Sequence, residues 1–420
     1  MQHLPRRSRA LRPWPRLEIA LSAPKYVLQA AYNHERRRVC TIKWLVSAKR
    51  FWRNVDFHGL LFARPAALPT KTFCFHKLCV RLCNQMRRLE HFPRSDGPTT
   101  RHIDQLFRVH ADTFQDLHNV ESEVKRMVHE SKDDSLRQQR RDPLDDFRRC
   151  IDAVTNRHAP NVETLMAAKR KLARAGATHG PERELRLQRL IDDFLTAHIS
   201  FQLLCRHFLQ SLKPQDLDNS SGRTGLVAEH CLLSDIIADA VGETQLITEH
   251  HLVHSPDVIV EGEVDARAWC IPSHVHHVLF EVLKNALRAT TAAHVSMADT
   301  LPPVRVRIAK GKGGQVSVCV SDEGGGMGMS TARDAFKYLW TSSESYDKAQ
   351  AHQASYQPVI DPLCGMGIGL PVSRLYARHF GGDLQMLSLQ GYGTHVGLFL
   401  PRTAGGVEIL PDLPAAAASA

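Results

Sequence analysis

Four short segments, in a fixed order along the second half of this 420-residue chain, limit its fold more than any other feature. The first, residues 273–290, reads SHVHHVLFEVLKNALRAT. His277, Glu281 and Asn285 recur at i, i+4 and i+8, so they share a helical face with Arg288 close by. Val278, Leu279, Val282, Leu283 and Ala286 supply a buried opposite face. A carboxylate, an amide and a guanidinium in one row suit a phosphate and its magnesium, although a solvated amphipathic helix carries the same pattern. The second, SDEGGGMG at 321–328, follows an alternating strand pattern. It sets Asp322 beside Gly324 and Gly326, where backbone can approach a flat ring and the carboxylate can accept from an exocyclic amine. The third, Gly365-Met366-Gly367-Ile368-Gly369-Leu370, runs into a helix, whose free N-terminal amides can cradle phosphate oxygens. It is neither G-x-G-x-x-G nor a Walker loop, and no protein-kinase HRD or DFG set is present. The fourth, Gly391-Tyr392-Gly393-Thr394, reads as a hairpin turn first and a phosphate-side contact second.

The rest of the chain supplies a setting. Val304, Val306 and Ile308 alternate with arginines, the Gly311–Gly314 stretch turns, and Val316, Val318 and Val320 alternate again, which predicts a β-hairpin. Residues 384–389 and 396–400 predict a second strand pair, with helices at 273–290 and 369–380. Helix and strand in this order imply a sheet with helices on one face. Between about 70 and 210 the spacing predicts four amphipathic helices, over 75–89, 103–130, 144–154 and 183–212, hence a helical bundle. The turn-rich stretch 214–226 divides the two regions, giving a helical domain over 70–213 and a nucleotide-type domain over 227–402. Residues 403–420 read as a disordered tail.

Charge matters only once it is located. Of the formal +10, residues 1–53 hold 13 Lys and Arg against Glu18 and Glu35, leaving about −1 for all the others. The basic character therefore belongs to an acid-poor N-terminal extension, the pattern of a mitochondrial transit segment, and does not indicate nucleic-acid binding. No run of about 20 apolar residues predicts a membrane span. The ten cysteines form no CxxC pair; Cys74, Cys79 and Cys83 with His76 read as small buried hydrophobes before they read as a metal cluster.

Taken together, E-x-x-x-N on a helix, D-x-G-x-G after a strand, a loop at 327–364, G-x-G-x-G before a helix and G-x-G-T between strands form a Bergerat ATP site. The chain thereby resembles the GHKL superfamily. The tracts FEVLKNALRAT, PLCGMGIGLPVSRLYARHFGGDLQMLSLQGYGT, KLCVRLCNQMRRLEHFP and NRHAPNV narrow the resemblance. They point to the mitochondrial pyruvate dehydrogenase kinase / branched-chain 2-oxo acid dehydrogenase kinase family, over residues 70–400. That resemblance implies an α+β two-domain chain, a four-helix bundle followed by a GHKL α/β sandwich. It implies transfer of the ATP γ-phosphoryl group to serine of an E1α subunit in the mitochondrial matrix, docking on a lipoyl domain, and a homodimer. By similarity Glu281 is the general base and His277 tunes it. Asn285 holds Mg²⁺, and Asp322 binds adenine with Gly324 and Gly326. Thr341 and Ser342 contact nucleotide, and 365–370 forms the cradle, with Arg288 and Thr394 as lesser contacts.

Two departures stand out. Where the family carries arginines for pyruvate-like regulators, this chain has Thr155, His198 and Gln202, although Asn156-Arg157-His158 and Ser200 remain. The Asp-Trp tail of pyruvate-type members is replaced by VEILPDLPAAAASA. The wording of SRLYARHFGGDLQ favours pyruvate dehydrogenase as substrate complex over the branched-chain one. A histidine kinase, with His158 as a superficial phosphoacceptor, and a catalytically silent scaffold are the readings of other classes.

Overall fold

The computed structural model describes residues 68–93, 98–130, 143–176, 180–212, 223–224, 226–251, 254–294, 301–341 and 367–401. The N-terminal extension 1–53, Ser342, Gly365, Met366 and the tail 403–420 lie outside the described residues.

The N-terminal region is helical: α1 (Leu68–Glu90), α2 (Pro98–Glu130), α3 (Pro143–His158), α4 (Asn161–Arg174) and α5 (Pro181–Ser211). Each forms because apolar residues recur at three- and four-residue spacing and so line one side. On α1 the buried stripe is Leu78, Cys79, Leu82, Cys83, Met86 and Leu89. On α5 it is Leu187, Ile191, Phe194, Leu195, Leu203 and Leu204. The expectation of four helices misses α4. Its sequence, NVETLMAAKRKLAR, is half polar, yet Leu165, Met166, Ala168 and Leu172 are buried and Lys169 is buried with them. Helix α2 packs on α1, α3 and α4, while α5 packs on α1 and α3.

The second region begins with β1 (Arg223–Thr224), β2 (Val227–Leu232), α6 (Leu233–His251), β3 (Val258–Gly262) and β4 (Arg267–Cys270). It continues through α7 (Pro272–Ala293), β5 (Val304–Lys310), β6 (Val316–Asp322), α8 (Met329–Asp334), α9 (Gly369–Arg378), β7 (Asp383–Leu389) and β8 (Gly393–Leu400). Strands β1, β2 and β4 make a small antiparallel sheet. The main sheet has the order β3-β5-β6-β8-β7, with β3 parallel to β5 and the other neighbours antiparallel. Alternation decides its faces. Val304, Val306, Ile308, Val316, Val318, Val320, Leu398 and Leu400 turn inward, while Arg305 and Arg307 turn out. Helices α6, α7 and α9 lie side by side and share the core with the inner face. Val278, Leu279, Val282, Leu283, Ala286 and Leu287 of α7 fill its centre at 3% exposure or less. Burying several such side chains at about 1.5–3 kcal/mol each fixes α7 against the sheet, and with it the polar row that α7 carries along its other side.

Candidate active site

A cleft opens between α7, the strand ends of β6 and β8, the segment after α8, and the start of α9. Its walls include Glu281, Asn285 and Arg288 from α7, Asp322 and Thr394 from the sheet, Trp340 and Thr341, and Gly367, Gly369 and Leu370. Residues as far apart as 281 and 394 thus converge because α7 lies across the sheet.

Asp322 ends β6, paired opposite Thr394 of β8. Its Oδ1 accepts the backbone N–H of Gly324 at 2.9 Å and that of Thr394 at 3.3 Å. No protein group among the described residues bonds Oδ2, so this carboxylate keeps an acceptor for something in the cleft. Burial pushes its carboxyl above the ordinary range, and the two amides oppose that shift. Gly324 and Gly326 do not line the cleft. Gly324 backs onto Ala289 of α7, where a Cβ would stand 2.6 Å from the Ala289 methyl, so it lets β6 pass close beneath the helix. Met327 lines the cleft instead.

Glu281 has less freedom. Its Oε1 accepts from Lys284 Nζ at 2.9 Å, and a Cβ built at Gly369 would overlap its Oε2. The carboxylate therefore lies against the first turn of α9, and a side chain at position 369 would displace it. Lys284 is 8% exposed and Glu281 14%, a nearly buried ion pair on one face of α7. Reading the sequence for phosphate ligands passed over Lys284, although its i+3 spacing from Glu281 was the available signal. His277 packs edge-on against Tyr376, with ring centroids 5.2 Å apart. Burial lowers its pKa and the nearby Glu281 charge opposes that, but no hydrogen bond joins the two. The partner that orients Glu281 is Lys284.

Asn285 projects into the cleft, and its amide hydrogen-bonds to nothing among the described residues. Ile368 precedes α9 as its N-cap and does not line the cleft. Thr394 Oγ1 meets Ser388 Oγ at 2.9 Å. Among the described residues no group of three or more His, Cys, Asp or Glu is arranged to hold a metal ion. Cys79 and Cys83 are buried thiols, with burial pushing Cys83 up to about 12. No helix there is long and apolar enough to cross a membrane.

Thr155 donates to the Ile151 carbonyl at 2.8 Å, and Gln202 to the Thr155 carbonyl at 3.4 Å. His158 is wholly buried, bonded to Thr113 Oγ1 at 2.8 Å and to the Asn161 amide at 3.0 Å. It cannot reach a phosphoryl donor from there, which removes the structural ground for the histidine-kinase alternative.

A helix-backed mixed sheet with a carboxylate at a strand end, a Glu/Asn row above it and a glycine-led helix facing both defines a GHKL-type ATP-binding domain. Residues 270–404 match the family model described as histidine kinase-, DNA gyrase B-, and HSP90-like ATPase. Residues 57–228 match the model described as mitochondrial branched-chain alpha-ketoacid dehydrogenase kinase. A mitochondrial pyruvate dehydrogenase (acetyl-transferring) kinase of Drosophila melanogaster is 29% identical over 82% of this chain and 81% of its own length. Isozyme 3 of Homo sapiens is 28% identical over 81% and 80%. Isozyme 4 of Rhinolophus ferrumequinum is 32% identical over 64% of each. The two models and these relatives together support the family of mitochondrial pyruvate and branched-chain 2-oxo acid dehydrogenase kinases, within the GHKL superfamily.

Proposed function

We propose that this protein transfers the γ-phosphoryl group of ATP to a serine of the E1α subunit of the mitochondrial pyruvate dehydrogenase complex, and so switches the complex off. The observation that carries the reading is Glu281, held by Lys284 against the start of α9 in a cleft that also contains Asp322. Glu281 takes the proton of the attacking serine hydroxyl. Asp322 accepts the adenine amine through its unbonded Oδ2, and Arg288 with the first turn of α9 receives the phosphates. Asn285, whose free amide oxygen suits a hard cation, would hold Mg²⁺, which when bound neutralises phosphate charge. Gly365, Met366, Gly367, Gly369, Leu370, Thr341, Ser342 and Thr394 complete the nucleotide contacts, and His277 acts behind Glu281. The names of the relatives support pyruvate dehydrogenase as the target and the mitochondrion as the place, within which the matrix is our reading. The description of the 57–228 model makes the branched-chain complex the second reading.

The experiment is transfer from γ-labelled ATP with Mg²⁺ to purified E1α from each complex. Acid-stable serine label on pyruvate dehydrogenase E1α is expected. Label only on the branched-chain subunit would transfer the reading to that complex, and label on neither would end it.

Asp322→Asn keeps one oxygen for the two amides but turns an amine toward the base. ATP affinity should fall about ten- to a hundredfold, the worth of a hydrogen bond to a charged group, with melting temperature little changed. Titration calorimetry reads this, and unaltered affinity would remove Asp322 from the adenine site.

The helical region is read as a four-helix bundle of α1, α2, α3 and α5, with α4 added outside α2, on the ring of contacts these helices make. It is read as the regulatory part, with a lipoyl domain among the partners of the whole chain. Homodimer formation through the outer sheet face is supported by Leu387, Leu389 and Phe399, which are 72%, 61% and 43% exposed on strands β7 and β8. Light scattering should return twice the chain mass, and a monomer mass would refute it.

A further inference from the structure

The wall of the cleft formed by Trp340 and Thr341 is not held by the sheet domain alone. Residues 335–341 leave α8 as irregular chain, and Leu339 has φ of 65°, the only positive φ of a non-glycine among the described residues. A leucine in that region costs of order 1–3 kcal/mol and persists only where its surroundings over-determine it. Part of the restraint is local, since Leu339 N–H donates to the Gly367 carbonyl at 2.8 Å. The remainder comes from the helical region. Gln188 Nε2 donates to the Phe336 carbonyl at 3.0 Å, and its Oε1 accepts Tyr338 N–H at 3.3 Å. Lys169 Nζ donates to the Tyr338 carbonyl at 2.8 Å while paired with Glu184 at 2.7 Å. The Tyr338 hydroxyl donates to Asp192 Oδ1 at 2.6 Å, and its ring is 2% exposed. Glu184, Gln188 and Asp192 fall at i, i+4 and i+8, one row along α5. On the other side Arg374 of α9 lies over the Phe336 ring at 4.8 Å.

From this geometry we propose that Gln188, Asp192 and Lys169 are positioning residues for the nucleotide. They seat Phe336 and Tyr338, and thereby hold Trp340 and Thr341 in the shape that receives ATP. The proposal rests on the reading of the cleft as an ATP site. Because the row belongs to the helical region, the coupling is reciprocal: whatever shifts α5 alters ATP affinity, and bound ATP braces α5 by the same factor.

The test measures ATP binding to the full-length protein by calorimetry, KM for ATP, kcat and melting temperature. It compares wild type, Gln188→Leu, Gln188→Glu and Tyr338→Phe. Gln188→Leu removes two hydrogen bonds, so ATP affinity should weaken about tenfold, with KM rising by more than kcat falls. Gln188→Glu keeps the acceptor for Tyr338 N–H and should recover part of that loss. Tyr338→Phe leaves the ring packed and removes only the Asp192 bond, so it gives a folded reporter, expected about threefold weaker, should the Gln188 variants not fold. Melting temperatures that fall while ATP affinity stays within twofold of wild type would overturn the proposal and leave a plain packing contact. Failure of the wild type itself to bind ATP would refute the ATP-site reading and the proposal with it, an outcome distinct from variants that keep wild-type affinity.

Discussion

Glu281→Gln is expected to lower phosphoryl transfer to E1α by about 10²–10⁴-fold, the usual contribution of a positioned general base. ATP should still bind, because the variant keeps the shape of the side chain and leaves Asp322 and the start of α9 untouched. Two effects must be separated. The substitution removes the proton acceptor, and it also leaves Lys284, 8% exposed, without the carboxylate it bonds at 2.9 Å. Breaking a buried pair by removing one partner is destabilising by several kcal/mol, so some loss of folded protein is expected from that alone. Combining Glu281→Gln with Lys284→Met removes the orphaned charge. The double variant should regain melting temperature and ATP binding but no transfer. Single-turnover measurement of labelled E1α decides the matter. Transfer within tenfold of wild type in either variant would mean that another group takes the proton.

That site was legible in the sequence because its parts are local. An i, i+4 pair on α7, a carboxylate closing a strand and glycines opening a helix each carry their chemistry within ten residues. The alternation that defines β5, β6, β7 and β8 is equally local, and those hairpins form where the pattern places them. What escaped depends on distant partners. Helix α4 reads as polar until Lys169 meets a carbonyl 169 positions away, at Tyr338. Strand β3 is a short edge segment whose pairing with β5 is parallel and non-local, and β2 and β4 pair across the whole of α6. Gly324 and Gly326 looked like pocket lining because glycine admits a ligand. Glycine admits a neighbouring helix just as well, and at Gly324 the neighbour is Ala289. The role of His277 as the group that tunes Glu281 came from the family resemblance; its ring packs against Tyr376, and the hydrogen bond to Glu281 comes from Lys284.

Acidification should unfold this protein earlier than its carboxylates alone would require, because three histidines are buried without charge in the helical region. His110, His158 and His198 are 0%, 0% and 6% exposed, and their rings lie 4.7 Å and 6.2 Å apart in sequence order. His110 Nδ1 donates to the Leu106 carbonyl at 2.6 Å, and the Asn161 amide donates to His158 Nδ1, which leaves His158 Nε2–H for Thr113. The His158 network is complete with a neutral ring, and at His110, whose Nε2 lies 2.9 Å from the Gln85 side-chain amide, a neutral ring requires that amide to present its NH₂. The charged groups nearby oppose protonation or are already engaged: Arg206 bears on His198, and Arg157, which bears on His158, pairs with Asp116 at 2.7 Å. Desolvation accordingly depresses His110 to about 4 and His198 to about 3, and His158 further still. Above pH 6.5 both folded and unfolded states are neutral at these sites, so they add no pH dependence. As pH falls from 6.5 toward 4, the unfolded chain takes up protons that the folded one refuses. Stability then drops by about 1.4 kcal/mol per pH unit for each ring, or up to about 4 for the three. Against a usual total of about 5–15 kcal/mol, one pH unit is a large share. Urea unfolding followed by circular dichroism at pH 7, 6 and 5 measures the slope. His198→Met, which retains the volume of a ring whose Nδ1 has no partner among the described residues, should reduce it by up to about 1.4 kcal/mol per pH unit. A slope between pH 6 and 5 that is flat in the wild type, or unchanged in the variant, would show that these histidines are not held neutral.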